Sequence, residues 1–560
     1  MKAALARLVA RRLRARASQA GYAAVMVALL LPIVFLGCAA FAVDTARWYV
    51  EAERVQRAAD AAALAGVVWM PADFATAKTA ALAEAKRNGY DDASSTVTVV
   101  VAPGDKPSHL QVTINSTVTN NFGSAIGSPS TTVGRSATAD YAGGLSMGSP
   151  CNEFGSDPDT ALSSGNARSG NCSDAGDFWA NVGSLKATKV SGDAFQDNVC
   201  ASGVDGCTSS SGPNTDYDPD GYLYTVNTTA ALNNVNLEVF DPALIAVGDH
   251  CTSNNLALAK ALTSTDVANA STRYKEGDGP YCTGDNDFGS GTGYTNQVST
   301  DFTVRLMGAA DDPTRPTTWP EMTPTQCPGA KPYKGYDGDL SKALNKGNST
   351  TYDSYVAANF RRWVPLCTLG SLPKDSKLAI QVKTNGVGND NGNGHNRFGL
   401  RGYSSSSTTG KDSLSIAAFN KMAVYANVQG GSSRFFLTRV PSAAKGQTLA
   451  VSLFDIGDIS GGTGTLKFIA PSESGITFTN CLMVGKVNTT DADCQIPVDG
   501  TFGGKWQNVY IQIPNTYTCY DSLPTGCWVK LNYDLTGTSS AQDTTSWESS
   551  IDGDPVRLIK

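Results

Sequence analysis

The feature that most constrains this chain is an uncharged apolar run from Tyr22 to Val43 that follows a basic leader. Lys2, Arg7, Arg11, Arg12, Arg14 and Arg16 precede the run without one acidic residue. As a helix, residues 22–43 rise roughly 33 Å, enough for the hydrocarbon core of a bilayer. The charge asymmetry predicts a single span with residues 1–20 in the cytoplasm and the bulk of the chain outside. Pro32 lies mid-run and predicts a kink, which membrane helices tolerate. A cleaved secretory signal fits less well, because the run is long and helix-compatible sequence follows it directly. Leu36-Gly37-Cys38 is loosely similar to a lipidation site, yet Phe35 stands where an aliphatic residue is usual and the run continues past Cys38. The expectation is a retained anchor.

Past Asp44 the pattern turns amphipathic, so residues 21–66 read as one helix that leaves the span. Ala46, Val50, Ala58 and Ala62 are expected to share a stripe, with Glu51, Arg54 and Arg57 facing elsewhere. Small side chains let another surface approach closely, either the chain's own next domain or a second anchor. The segment has Gly21 before the apolar run, Ala42-Val43-Asp44 at its end, and then Gln56-Arg57-Ala58-Ala59-Asp60-Ala61-Ala62-Ala63-Leu64-Ala65-Gly66. With the basic leader, this resembles the N-terminal domain of TadG-like proteins of Flp/tight-adherence pilus systems, over about residues 18–142. The resemblance marks Gly21, Gln56, Ala58, Ala59, Asp60, Ala61, Ala62, Leu64 and Gly66 as signature positions. It implies a role in pilus assembly, anchoring or display, with pilus-assembly or pseudopilin-like proteins as partners. One departure matters. Pilins carry a Glu five residues after the processed Gly, and here that position is Met26. The resemblance therefore implies an uncleaved tether more than a filament subunit.

The expected fold class is α+β and multidomain: a long transmembrane helix, a small α+β domain, then two mainly-β sandwiches of jelly-roll character. The small domain, residues 67–142, should hold a helix from Phe74 to about Asn88, N-capped by Asp73 and stopped by Gly89. Strands are expected at Thr96–Val101, Leu110–Asn115 and Val133–Asp140. Asn121-Phe122-Gly123 begins a short connection. Residues 143–150 read as a linker. A weak internal repeat follows. Tyr222–Asn227 and Val235–Asp241 resemble Arg434–Val440 and Leu449–Asp455, and both second strands end in Phe-Asp. Upstream, Leu185–Val190 is expected to correspond to Leu378–Val382. These suggest sandwiches at 151–330 and 331–560. Of 13 cysteines, all but Cys38 lie past residue 150, which reads as a disulfide framework in an oxidising compartment. Short spacing favours Cys200–Cys207, Cys481–Cys494 and Cys519–Cys527, although spacing alone does not prove connectivity.

The chemistry is sparse. A net charge of −7 and a pI near 5.2 argue against a nucleic-acid partner. His109, His250 and His395 are the histidines, and no nucleophile elbow, zinc-helix motif or phosphate loop accompanies them. The reading is therefore non-enzymatic. The stronger of two cation-like runs is Asp216-Tyr-Asp218-Pro-Asp220-Gly221, whose alternate carboxylates could converge on calcium. The bland alternative is an Asx-rich turn entering a strand. A surface adhesin for carbohydrate is the second function considered. An exposed aromatic platform among Trp319, Trp506, Trp528 and Trp547 would favour it, and burial would not.

Overall fold

The computed structural model describes the chain apart from residues 1, 71–73, 106–108, 142–143, 157–177, 211, 248–282, 288–297, 309–310, 312–314, 386–391, 408, 430, 458, 537–539, 552–555 and 559–560. It divides into two compact units, Met1–Tyr141 with Asp554–Lys560, and Ala142–Gly553.

In the first unit a single helix, α1 (Lys2–Val67), runs unbroken through Pro32. Its apolar stretch is long enough to cross a bilayer, and Leu29, Leu30, Val34, Phe35 and Phe41 are all exposed. Cys38 on it is a free thiol. Burial begins at Asp44 and continues as a stripe through Ala52, Val55, Ala59, Ala62 and Gly66, spaced three and four. The expected stripe is corrected at its start, where Ala46 and Val50 are exposed. At about 100° per residue, Val50 and Ala58 differ by roughly 80° around the helix. Glu51 also turns inward, accepting from Ser116 Oγ at 2.7 Å and Tyr90 OH at 3.2 Å.

Helix α2 (Phe74–Arg87) buries Ala77, Ala81 and Ala85. Gly89 ends it at φ +94°, a left-handed C-terminal stop as expected. The predicted cap, Asp73, lies outside the described residues. Strands β1 (Val97–Pro103), β2 (His109–Thr119) and β3 (Ser130–Tyr141) form an antiparallel meander. Along β2 the inward positions Leu110, Val112 and Ile114 join the core of alanines from both helices. The three expected strands are all present. One assignment changes: a C-terminal strand, Val556–Leu558, returns to pair with β3. Residues up to 560 therefore do not all belong to a β-sandwich. A strand of three residues offers too short a pattern to read.

The larger unit is two antiparallel sheets around one hydrophobic core. After β4 (Ser146–Gly148) and β5 (Glu153–Phe154) comes a first set. It contains β6 (Phe178–Gly183), β7 (Tyr222–Thr228), β8 (Leu232–Phe240), β9 (Asn286–Asp287), β10 (Ser299–Leu306), β11 (Pro332–Tyr333), β12 (Trp363–Leu372), β13 (Lys377–Asn385), β14 (Gly394–Ser404) and β15 (Leu414–Phe419). A second set follows: β16 (Lys421–Gln429), β17 (Ser432–Arg439), β18 (Thr448–Phe454), β19 (Ile459–Ser460), β20 (Gly464–Ile469), β21 (Cys481–Gly485) and β22 (Thr489–Asp491). It closes with β23 (Gln495–Val498), β24 (Trp506–Gln512), β25 (Trp528–Leu535) and β26 (Ser540–Ile551).

The order of one sheet is β11-β10-β13-β7-β15-β4-β17-β25-β20-β23, and the other runs β12-β8-β14-β6-β16-β26-β18-β24-β21-β22. Each half therefore contributes the same two four-strand arrays. They are β7-β13-β10-β11 with β6-β14-β8-β12, and β17-β25-β20-β23 with β16-β26-β18-β24. The first strands of the two halves, β6 and β16, pair with each other, and β4 bridges β15 and β17, so both sheets run continuously through the unit.

This corrects the division at 330/331. The disulfide Cys327–Cys367 spans it, and β10 pairs with β13 across it. The halves meet at Asn420, between β15 and β16. The downstream half of the sequence repeat is real. Asp241 and Asp455 both follow their strand in the left-handed region, at φ 55° and 59°, and both are buried. Asp241 N donates to Arg362 O and its Oδ1 accepts from Arg361 N. Asp455 N donates to Lys505 O and its Oδ1 accepts from Gly504 N. Each aspartate thus clamps the approach to the strand beside it, β12 or β24. The upstream pairing fails, because Leu185–Val190 is turn and short helix whereas Leu378–Val382 is β13. A boundary at 330/331 puts β13 in the second half, whereas it pairs with β7 and β10 of the first.

Candidate functional site

The connection from β6 to β7, residues 184–221, contains the acidic run singled out in the sequence. It leaves the first half and folds onto the outer face of the second. Gly192 passes so close to Thr544 O that a Cβ there would lie 1.9 Å from it, and its φ of +98° suits glycine. Ser546 Oγ bridges this crossing, accepting from Ala194 N and donating to Gly192 O, each at 2.8 Å. Further on, Asp205 takes Trp506 N at 3.0 Å and Lys505 Nζ at 3.2 Å. The expected Cys200–Cys207 disulfide closes the segment between these anchors.

The connection walls a cleft of about 530 Å³. Its floor is a row of outward side chains in cross-strand register: Lys421 opposite Glu548, Glu548 opposite Ser452, and Ser452 opposite Asn508. Period-2 alternation puts these polar residues outside while Val451, Leu453 and Val509 face the core. Phe195, Tyr217 and half-buried Trp506 supply aromatic walls.

The acidic run does not gather on one point. Asp216 Oδ2 meets Lys189 Nζ at 2.5 Å and accepts from Trp506 Nε1 at 3.0 Å. Asp218 Oδ2 pairs with Lys421 Nζ, and Asp220 is exposed. The two lysines thus take the oxygens that a calcium ion would need, and the three carboxylates do not form a cluster of ligand atoms within 4.8 Å of one another. Lys189 is fully buried beside the Phe454 and Trp506 rings, with Nζ 5.0 and 5.9 Å from their centroids. Burial lowers its pKa, against the pull of Asp216.

Behind the cleft lies a buried polar cluster. Asp193 accepts from Asn181 Nδ2, from the backbone N–H of Gly183, Phe195 and Gln196, and from Tyr222 OH. Burial, helped by neighbouring Asp197, pushes its carboxyl up to about 6. His395 bridges Asp197 at 3.0 Å and Asn181 at 3.2 Å. His395 is 1% exposed, so this cluster ties the connection to the sheet and does not face a ligand. His109 lies in the other unit, 3.5 Å from Asp140, and His250 is outside the described residues.

The remaining sequence-marked residues sort clearly. Disulfides Cys481–Cys494 and Cys519–Cys527 are formed as expected. Of the four tryptophans marked in the sequence, Trp319, Trp528 and Trp547 are buried, and Trp506 lines the cleft. Among the signature positions, Gly21 lies within α1, while Ala58, Ala59 and Ala62 are buried with Leu64 packed beside them. Ala61 is half-buried, and Gln56 Nε2 donates to Asp60 Oδ1 at 2.8 Å. A Cβ at Gly66 would sit 2.5 Å from Leu110 Cδ2 and 2.6 Å from Ala77 O, so this glycine lets α2 and β2 close on α1. The alanine face is therefore spent on the chain's own small domain. Glu548, Ser452, Asn508, Lys189 and Lys421 were not found from sequence; polar residues at alternate strand positions were visible, but which strands lie side by side was not.

Residues 21–77 match the family model described as "Putative Flp pilus-assembly TadE/G-like". No curated protein and no solved structure matches the chain. The family match begins at the glycine before the apolar run and ends on the first turn of α2. It therefore covers the apolar run and the close-packed seam that follows it.

Proposed function

We propose that the chain is a non-enzymatic, membrane-anchored extracytoplasmic protein that serves the assembly, anchoring or display of a Flp/Tad-type pilus. The carrying observation is the coincidence of the family match, residues 21–77, with an exposed apolar helix that continues into a packed domain. The basic leader orients the N-terminus to the cytoplasm in this reading. The disulfides fit an oxidising compartment outside it. Each half of the larger unit reads as a jelly roll, since its eight main strands fall into two four-strand sheets in the repeated order given above. The test is genetic. A host strain lacking the chain should display fewer pili by electron microscopy, restored by the intact gene. Unchanged piliation would sink this reading.

The cleft favours a second reading, a binding module for carbohydrate. Aromatic walls beside a row of carboxylate, hydroxyl and amide groups suit a polyhydroxylated ligand, and about 530 Å³ holds a sugar ring or two. Glu548→Gln and Asn508→Ala should each lower glycan binding by the intact chain at least tenfold. Glycan binding that both variants retain would place the ligand elsewhere.

A further inference from the structure

The end of the apolar run is tied to a loop by one carboxylate. Asp44 directly follows Val43 and is 3% exposed. Its Oδ1 accepts from Asn121 N at 2.9 Å, and its Oδ2 from Phe122 N at 3.0 Å and Gly123 N at 2.8 Å. Burial opposes its ionisation, but the three donors outweigh this and hold its pKa below the usual carboxylate range. One turn on, Trp48 Nε1 donates to Asn120 Oδ1 at 2.8 Å. Asn120 itself donates to Ser128 O and Thr131 Oγ1, each at 3.0 Å, closing the loop at its far side. The 120–128 loop is therefore fixed at the level of residue 44.

The residues around that level are apolar, aromatic and uncovered. Phe41 is 63% exposed, Phe122 50% and Tyr49 71%. Phe41 packs edge-on against Trp48 of the same helix at 6.1 Å, and Trp48 in turn holds Asn120 of the loop. Arg47 is exposed on the same turn. Aromatic side chains with a nearby cation are what the headgroup layer of a bilayer favours.

We propose that the 120–128 loop is a membrane-surface contact, with the Phe122 ring inserted among lipid headgroups and Asp44 as the residue that positions it. The proposal rests on the membrane-anchor reading and deepens it. An anchor alone would leave the small domain free to stand off the bilayer. The Asp44 clamp brings its loop onto the lipid surface and fixes the tilt of α1 as it emerges. The loop lies at one end of the meander. Val100 is equally exposed, yet its partner Thr113 is seven residues up β2 from Asn120, roughly 23 Å away at the rise of a strand.

Nitroxide depth measurements test this in the full chain. Phe122→Cys, Leu30→Cys and Val100→Cys would each be made in a Cys38→Ser background. The proteins would be labelled without reductant, so that the disulfides persist, and placed in phosphatidylcholine/phosphatidylglycerol nanodiscs. The expected result is oxygen-favoured relaxation at 30 and 122 and nickel-chelate-favoured relaxation at 100. Adding Asp44→Asn should shift position 122 toward the aqueous relaxant while position 30 stays in lipid. A lipid signal at 30 with a fully aqueous signal at 122 overturns the loop contact and leaves the anchor standing. Aqueous signals at both 30 and 122 overturn the anchor reading and this proposal with it.

Discussion

The two halves of the larger unit share a strand order and treat the same surface position in opposite ways. Glu238 and Ser452 both lie three residues before the left-handed aspartate, Asp241 or Asp455. In the first half Glu238 faces Arg401 across the ladder, and the pair is closed, with an N–O distance of 2.7 Å. Tyr403 OH adds a bond to Glu238 Oε1 at 3.1 Å, and Trp363 covers the guanidinium at 4.0 Å from its ring centroid. Both charged residues are buried. In the second half Ser452 faces Glu548, which remains exposed on the cleft floor. One duplicated scaffold thus has a sealed face and an open one. The sealed face serves the fold. The open face presents polar groups to the cleft.

The comparison breaks most sharply on Arg401. Arg401→Ala leaves Glu238 buried without its cation, a change that costs about 3–5 kcal/mol. Glu548→Gln, at the equivalent place on the open side, should change stability by less than about 0.5 kcal/mol. Urea unfolding of the two variants reads the contrast directly, and equal losses would show that both faces are structural. Next in size is the staple peculiar to the first half. Replacing Cys327 and Cys367 by Ser opens a loop of 40 residues and should cost about 2–4 kcal/mol. A loss confined to the first half, seen by hydrogen exchange, would show that the halves unfold separately. A uniform loss would show that their continuous sheets make them one cooperative body.

The smallest expected effect is on pH. Asp193 has its carboxyl raised to about 6 from an ordinary 3.8, so folding favours its protonated form. That contribution is fully present below about pH 4 and is lost as pH rises through 6. Buried Asp197 and Asp285 are shifted in the same direction. Moving from pH 7.5 to 5.5 should therefore hold or raise the melting temperature of the larger unit. Asp193→Asn should flatten that dependence, and a steep fall in melting temperature over the same window would count against it.

Local pattern was legible where one short segment carries its own physics. The apolar run, the α2 stop at Gly89, the meander strands and the three short-loop disulfides each depend on residues near one another in sequence. The spacing of Gln56 to Gly66 foretold a close-packed seam, because alanine and glycine are informative only where something approaches. The boundary at 330 failed for the opposite reason. Cys327 and Cys367, or Val382 and Tyr222, become neighbours only once strands from distant segments pair. The acidic run misled similarly, since Lys189 and Lys421, which meet its carboxylates, lie on separate segments that the sheet assembles.

The sequence by itself determined an apolar helix long enough to cross a bilayer, where its small domain packs, and that a β-rich, cystine-bearing body follows. Hydrophobic length, charge asymmetry and small-residue spacing act over a few turns and need no partner. Only the tertiary structure decided that the body is one scaffold used twice, that one half is sealed and the other open, and that the loop at Phe122 is clamped to the end of the apolar run. These depend on register between strands and on single hydrogen bonds between distant residues, 79 apart from Asp44 to Gly123 and 354 apart from Gly192 to Ser546. No local pattern carries that information, because the energy belongs to pairs that meet only after folding.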